Sequence, residues 1–385
     1  MTSDVDVLIV GGGPVGASLA LALVGSGLDV LLVEARATAA GDARTLAVSR
    51  GTALMLARLG VSMDTLAATP IDTIHVSQRG GFGRTVMRAA ELNTPALGYV
   101  VSYAALSQAL AAALPASEVR LTTGAKVSGI RMTAAFAVAD VEHENRMHEV
   151  NAKLMVLADG GRSAGQMPGV TIEERDYRQS AVVAMVSADP AATTIAYERF
   201  TPSGPAALLP YRGQYALVWT TSLAEADDLV AMETSVFLDR LRQHFGLCSM
   251  RFTDVGPRAL CPLQFRYAKP VTAQRTVLVG NAAQALHPVA GQGFNLGMRD
   301  VQALAGILRE TGRDAIGSPA MLSRYRSARR MDAGGGIAVT DFLARGFAHD
   351  HPLLRAGRGL GLAAMDVLPP VRRWLARKMM FGISG

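Results

Sequence analysis

The sequence predicts an α/β protein. A layer of strands and helices is assembled from both ends of the chain, a mostly antiparallel β-sheet is inserted between them, and a helical segment follows. Three observations carry this expectation. A buried-type strand, Asp6–Val10 (DVLIV), runs into Gly11-Gly12-Gly13-Pro14-Val15-Gly16 and then into an apolar helical stretch, Ser18–Gly25. A second strand-like run, Arg275–Val279 (RTVLV), opens through GNAAQALHPVAGQGFNLGMRD (280–300) into the helix-like Val301–Leu308. Between these ends lie short alternating segments separated by turn residues.

Each element has a local reason. The first three-glycine turn has the spacing G-x-G-x-x-G: its glycines permit a tight turn, close approach to a pyrophosphate, and helix–strand packing. Val30–Val33 forms the next strand and Glu34 ends it, where a carboxylate can accept from a ribose hydroxyl. FAD and NAD sites share this pattern, so the motif alone predicts a dinucleotide site without choosing between them. Ser49–Gly60 has helical periodicity and stops at a glycine. Ile71–Gln78 alternates as a half-exposed strand, and the glycines after it predict a hairpin. Tyr103–Leu114 reads as an Ala-rich helix. Several short strands are expected from Val119 to Leu157, with polar turns at His143–Asn145 and at His148. Ser180–Val186, Thr194–Phe200, Ala206–Pro210 and Gln214–Thr220 read as an antiparallel set, Thr234–Phe245 as a helix, and Arg251–Tyr267 as extended chain.

Composition narrows the function classes. The 385 residues suffice for two substantial cores, and no run of eighteen apolar residues predicts a spanning helix. The acidic start leading into a strand is not expected to be a targeting peptide. Cys248 and Cys261 offer neither a disulfide framework nor metal spacing, and the seven histidines are scattered, so no metal is expected. A net charge of +6 is not arranged with stacking aromatics, which make up only 5% of the chain, so nucleic acid is not an expected partner.

The chain resembles the FAD-dependent aromatic hydroxylases of the para-hydroxybenzoate hydroxylase type. The family's three markers occur in order: the N-terminal glycine fingerprint, a DG motif at Asp159-Gly160 (VLADGGRS), and the motif beginning at Gly280. Within that family it is similar to the ubiquinone-biosynthesis branch, notably to 2-polyprenyl-6-methoxyphenol hydroxylases. The stretches RTLAVSRGTALMLARLG (44–60), IHVSQRGGFGRT (74–85), ERFTPSGPAALLP (198–210), LVWT (217–220) and 280–300 carry that likeness. The resemblance implies a Rossmann-like FAD-binding domain (1–70, 98–170, 270–345), an inserted antiparallel substrate domain (71–97, 171–269) and a C-terminal helical segment (346–385). Two positions depart from the wider family: Asn281 replaces an Asp, and Gln166 stands where the DG motif usually closes with Arg.

What the resemblance implies for the site follows position by position. FAD is the expected cofactor, with NAD(P)H as reductant and molecular oxygen as co-substrate. The implied chemistry is hydroxylation of a prenylated phenol through a flavin C4a-hydroperoxide, with hydroxylation of a soluble aromatic, or of another ring position, as the competing reading. A flavin-binding scaffold subunit without turnover is the non-enzymatic alternative. Gly11, Gly13 and Gly16 are expected at the pyrophosphate, Glu34 at the ribose, and Arg44 near the phosphates, with Arg36 beside them. Gln108, Asn281 and the backbone of Gly291, Gly293 and Asn295 are expected toward the ribityl and ring end, and Asp159 as a turn organiser. His287 and Pro288 are the candidate catalytic pair on the flavin-side loop.

The last forty residues give a separate signal. Arg372, Arg373, Arg377 and Lys378 surround Trp374 after Pro369-Pro370, a basic amphipathic pattern. It fits contact with a membrane surface, contact with a ubiquinone-biosynthesis complex, or a helix that caps the core. The expected location is cytoplasmic, with peripheral attachment to the inner membrane face under the first reading.

Overall fold

The computed structural model describes residues 3–38, 44–79, 83–246, 250–285, 292–330, 359, 361 and 363–382. Its first sheet runs in the order Thr272–Ala273, Thr276–Leu278, Arg146–Leu157, Val5–Val10, Val30–Glu34, Arg120–Thr123. From Thr276–Leu278 onward every neighbouring pair in that order is parallel. All six residues of Val5–Val10 are buried, as a central parallel strand covered on both faces requires. Helices α1 (Pro14–Ala22), α2 (Arg50–Arg58) and α3 (Tyr103–Ala113) contribute to the core on one side. The antiparallel strands Lys126–Met132 and Ala137–His143 extend from Arg146–Leu157 and build the core on the other.

The second sheet is the inserted layer. Its order is Gln284–Ala285, Ala259–Lys269, Thr171–Asp189, Gln214–Ser222, Gly204–Tyr211, Ile195–Thr201, Thr73–Gln78, Arg84–Arg88, and Arg251–Val255 adds to Thr171–Asp189. Its pairs are antiparallel except one: Ile195–Thr201 runs parallel to Thr73–Gln78, with Tyr197 level with His75. Helices α4 (Leu223–Ala231) and α5 (Thr234–Phe245) bury Leu229, Phe237, Leu241 and Phe245 with Leu217 and Trp219 of this sheet.

Helix α6 (Gln292–Glu310), helical residues 319–330 (α7) and α8 (Pro369–Phe381) follow in the C-terminal part. A small sheet of Thr45–Ser49, Gly98–Ser102 and Thr69–Ile71 stands between α6 and the inserted layer.

Three local expectations need correction. His148 is not in a turn: it lies within Arg146–Leu157, paired with Val141. The turn is the two-residue Glu144-Asn145, both with left-handed φ (51° and 59°), the geometry that closes a tight hairpin. Ser180–Val186 is only the middle of the 19-residue strand Thr171–Asp189, whose polar first half hides its period. Helix α6 begins at Gln292, nine residues before the apolar period becomes obvious at Val301.

Candidate active site

Four adjacent parallel strands end level with one another. Val10 is in register with Leu157 and Val33, and Leu157 with Leu278. The residues that follow are therefore delivered to one edge in a row: the Gly280 motif, the Asp159 turn, the Gly11–Gly16 turn and Glu34. That is the crevice outside the carboxyl ends of a parallel sheet, where such folds bind nucleotides.

The first turn is built to receive an anion. Gly11 has φ +105°, and a Cβ there would lie 2.7 Å from the Ala158 carbonyl oxygen. A Cβ on Gly16 would come within 1.9 Å of the Gly11 oxygen, so α1 can approach the strand only with glycine there. Gly13 is the N-cap of α1 and makes no side-chain cap; the first turn holds no acid, and space at its Cβ is open. Free N–H groups and the positive helix end thus face an uncrowded position suited to pyrophosphate.

Glu34 closes one side. One carboxylate oxygen accepts from the Gly12 N–H at 2.6 Å, and the other from the Arg36 N–H and Nε, both at 3.0 Å. Burial alone would raise this carboxyl, but those hydrogen bonds hold it below the usual range, so it is ionised at neutral pH. One lone pair, on the oxygen bonded to Gly12, remains for a ribose hydroxyl. Tyr103, absent from the expectations, ties two predicted arginines together: its hydroxyl bonds Arg36, and Arg44 lies over its ring at 5.3 Å. Tyr103 also receives the chain, since its N–H donates to the Arg44 carbonyl. Gln108 is exposed, further along α3.

Asp159 organises its turn, accepting from the N–H groups of Gly161 (2.9 Å) and Ser163 (2.8 Å). Gly161 then sits against Asn281, whose carbonyl oxygen would be 3.3 Å from a Cβ at that position. Arg266, from the antiparallel sheet, donates to the Gly161 carbonyl at 3.3 Å. Val15 of α1 touches the second motif: Cβ atoms on Gly280 or Gly297 would meet it at 3.1 and 3.0 Å. The motifs from the two ends of the chain therefore form one cradle.

Sequence reasoning missed what pins that cradle. Asp300, within α6, accepts from the Gly280 N–H and the Gln284 amide, each at 2.9 Å, and from Arg329 Nε of α7 at 2.6 Å. Both side chains of this ion pair are 3% exposed. Burial pushes the Asp300 carboxyl up, and Arg329 with the two other donors opposes that shift. The signal was present: Asp300 stands on the buried stripe Leu296–Asp300–Leu304, where a charge needs a partner. The backbone around Asn295 was expected at the flavin; its side chain bonds protein. It accepts from Ser49 N–H (2.8 Å) and donates to the Ala47 carbonyl (2.9 Å), completing the edge of Thr45–Ser49. Gly293 lies in the first turn of α6. His287, Pro288 and Gly291 lie outside the described residues. No cluster of three His, Cys, Asp or Glu side chains that could hold a metal occurs among the described residues.

This cradle is the hallmark of a dinucleotide-binding fold, and sequence likeness decides the family. Residues 4–335 match the FAD binding domain family (FAD_binding_3). The chain belongs to that family. It is 35% identical to the ubiquinone hydroxylase UbiL of Rhodospirillum rubrum, over 97% of this chain and 89% of that protein. It is 34% identical to the 3-demethoxyubiquinol 3-hydroxylase of Escherichia coli over 94% of each. Among solved structures it superposes on p-nitrophenol 4-monooxygenase PnpA from Pseudomonas putida with a TM-score of 0.78, covering all of both chains at 20% identity. The fold expectation, an α/β FAD-binding domain carrying an inserted sheet, holds. The protein is an FAD-dependent aromatic hydroxylase of the ubiquinone-biosynthesis branch, a class that uses NAD(P)H and oxygen.

Proposed function

We propose that this enzyme hydroxylates a polyprenylated phenol, 2-polyprenyl-6-methoxyphenol, in ubiquinone assembly. The observation that supports it is a narrow pocket of about 70 Å³ where α6, the small sheet, the inserted sheet and α8 meet. Ile71, Ile74, Met87, Leu97, Met379 and Met380 line it, it reaches Asn295 and Ser49, and none of its lining residues among those described is ionisable. A carboxylated aromatic would find no counter-charge among the described lining residues, whereas a prenyl chain is matched by flexible methionines that can repack around it. Bound FAD supplies the redox and oxygen-transfer chemistry; the chain orients the phenol and excludes water.

In this reading Gly11, Gly13, Gly16, Glu34, Arg36, Arg44, Gln108, Asp159, Asn281, Gly291, Gly293 and Asn295 serve the cofactor. His287 and Pro288 belong to the loop beside the flavin. Residues 1–70, 98–170 and 270–345 form the flavin-binding part, 71–97 and 171–269 the substrate part, and 346–385 a helical segment. The enzyme works in the cytoplasm, at the inner face of the membrane. Another ring position is the second reading, favoured by the likeness to the Escherichia coli 3-demethoxyubiquinol 3-hydroxylase.

Deleting the gene and analysing the lipid extract by mass spectrometry tests the assignment. Accumulated 2-polyprenyl-6-methoxyphenol, relieved by the intact gene, is the expected result. A different prenylated intermediate moves the ring position, and unchanged ubiquinone in a strain without a second hydroxylase refutes the substrate class.

A further inference from the structure

No helix among the described residues is long and apolar enough to cross a membrane, yet α8 has two unlike faces. Its inner face is docked: Ala376 and Met380 are each 4% exposed and pack with Met87 and Leu97. Arg372 on the same side is anchored to Glu91 at 3.0 Å and lies 3.7 Å from Asp366. These positions follow the three- and four-residue spacing of a single helix face.

The opposite face carries large apolar side chains in water. Trp374 is 60% exposed, Val371 44% and Phe381 42%, and Leu368, just before the helix, is 50% exposed. Trp374 and Phe381 are seven residues apart and Val371 is one turn back from Trp374, so they form one stripe. Arg373 and Arg377, both exposed, flank it on one side, and Lys378 lies on the other. The helix carries four basic residues and no acidic one.

We propose that this outer face is a docking surface for an anionic phospholipid bilayer. Trp and Phe supply the apolar contact at the headgroup level, and Arg373 and Arg377 supply the attraction to lipid phosphates. Charge decides for this occupant: the exposed guanidinium groups of Arg373 and Arg377 beside an exposed Trp are complementary to an anionic interface and cost free energy in a dry protein contact. The same helix turns Met379 and Met380 into the apolar pocket on its other side. Seated on a bilayer, α8 is the partition between the lipid phase and that pocket, so a lipid-tailed phenol passes around one helix rather than through water. This purpose rests on the substrate reading above; the docking itself is tested without substrate, so the two fail separately.

The chain provides its own reporter. It has two tryptophans, of which Trp219 is 1% exposed, so a fluorescence change on adding vesicles reports Trp374. FAD-loaded full-length protein is mixed with phosphatidylcholine vesicles, with or without about a third phosphatidylglycerol, and sedimented. A blue shift and co-sedimentation with the anionic vesicles are expected, and Trp374→Phe abolishes the shift. Arg373→Gln with Arg377→Gln weakens partitioning about five-fold for each charge removed, with circular dichroism and FAD content unchanged. Failure to sediment with anionic vesicles overturns the proposal. So does binding that ignores the arginine changes, or a blue shift that tracks protein concentration without lipid, which would place a second copy on this face.

Discussion

Replacing Asp300 with Asn removes one charge from an ion pair that water hardly reaches. Asp300 and Arg329 are 2.6 Å apart with 3% of each side chain exposed. In the variant, the amide oxygen can still take the Gly280 N–H and the Gln284 amide, but its NH2 group then faces the guanidinium. A donor meets a donor, and the Arg329 charge loses its counter-ion inside the core. Stranding one member of a buried pair costs about 3–5 kcal/mol, against a total of roughly 5–15 kcal/mol for a domain. Removing the guanidinium as well, in Asp300→Asn with Arg329→Met, leaves no buried charge. The residual cost then falls to about 1–3 kcal/mol for donors without acceptors. Urea unfolding followed by circular dichroism measures these two variants and Arg329→Met alone, and the double change should be markedly less damaging than the sum of the singles. Simple additivity, or a single-variant cost under about 1 kcal/mol, would refute this account of the cradle. FAD retention is the second readout: it should fall in the single variant before unfolding begins, because Asp300 also holds Gly280.

Further outcomes follow from the same geometry. Gly13→Asp should fold, since nothing stands within 4 Å of its Cβ and Asp is a good N-cap, but the purified protein should lack FAD because a carboxylate occupies the anion position. Burial, with Arg79, Arg199 and Arg240 nearby, pushes His244 down to about 3. The unfolded chain therefore binds its proton first, and stability should drop as pH falls below about 6.5. The loss is roughly 2 kcal/mol by pH 5, and pH-dependent urea titration of His244→Phe should show that slope removed. Asn295→Leu strands the Ser49 N–H and the Ala47 carbonyl, costing about 2–4 kcal/mol. Hydrogen exchange should then show faster exchange along Thr45–Ser49.

Local patterns carried much of the fold. Asp6–Gly25 and Val30–Glu34 could be read because a buried strand, a glycine turn and a helix each leave a short-range signature, and the hairpin after Gln78 was legible from its glycines. The cradle's members were legible too, but not how they are held. Glu34 was assigned to a ribose hydroxyl, while its protein partner Gly12 and the bridging Tyr103 depend on strand order. Arg329 belongs to a helix, 319–330, that the sequence reading did not identify, and its meeting with Asp300 is a tertiary fact. The parallel pairing of Thr73–Gln78 with Ile195–Thr201 joins segments with no shared signal. Helix α4 was overlooked although Ser222 caps it and Glu225 follows three residues on, a start signal that was in the sequence.

The split cradle also sets a timetable for biogenesis. Gly11–Gly16 leaves the ribosome first, but the segment from Gly280 to Asp300 that Val15 packs against is made some 270 residues later. At about 5–20 residues per second, the cradle is incomplete for roughly 15–60 s of synthesis. During that interval Thr73–Arg88 also waits for Ile195–Thr201. Cofactor capture must therefore wait until the Gly280–Asp300 segment has been made. A shortage of flavin would be felt by a chain whose first glycine turn has long been in place, rather than by that turn as it emerges.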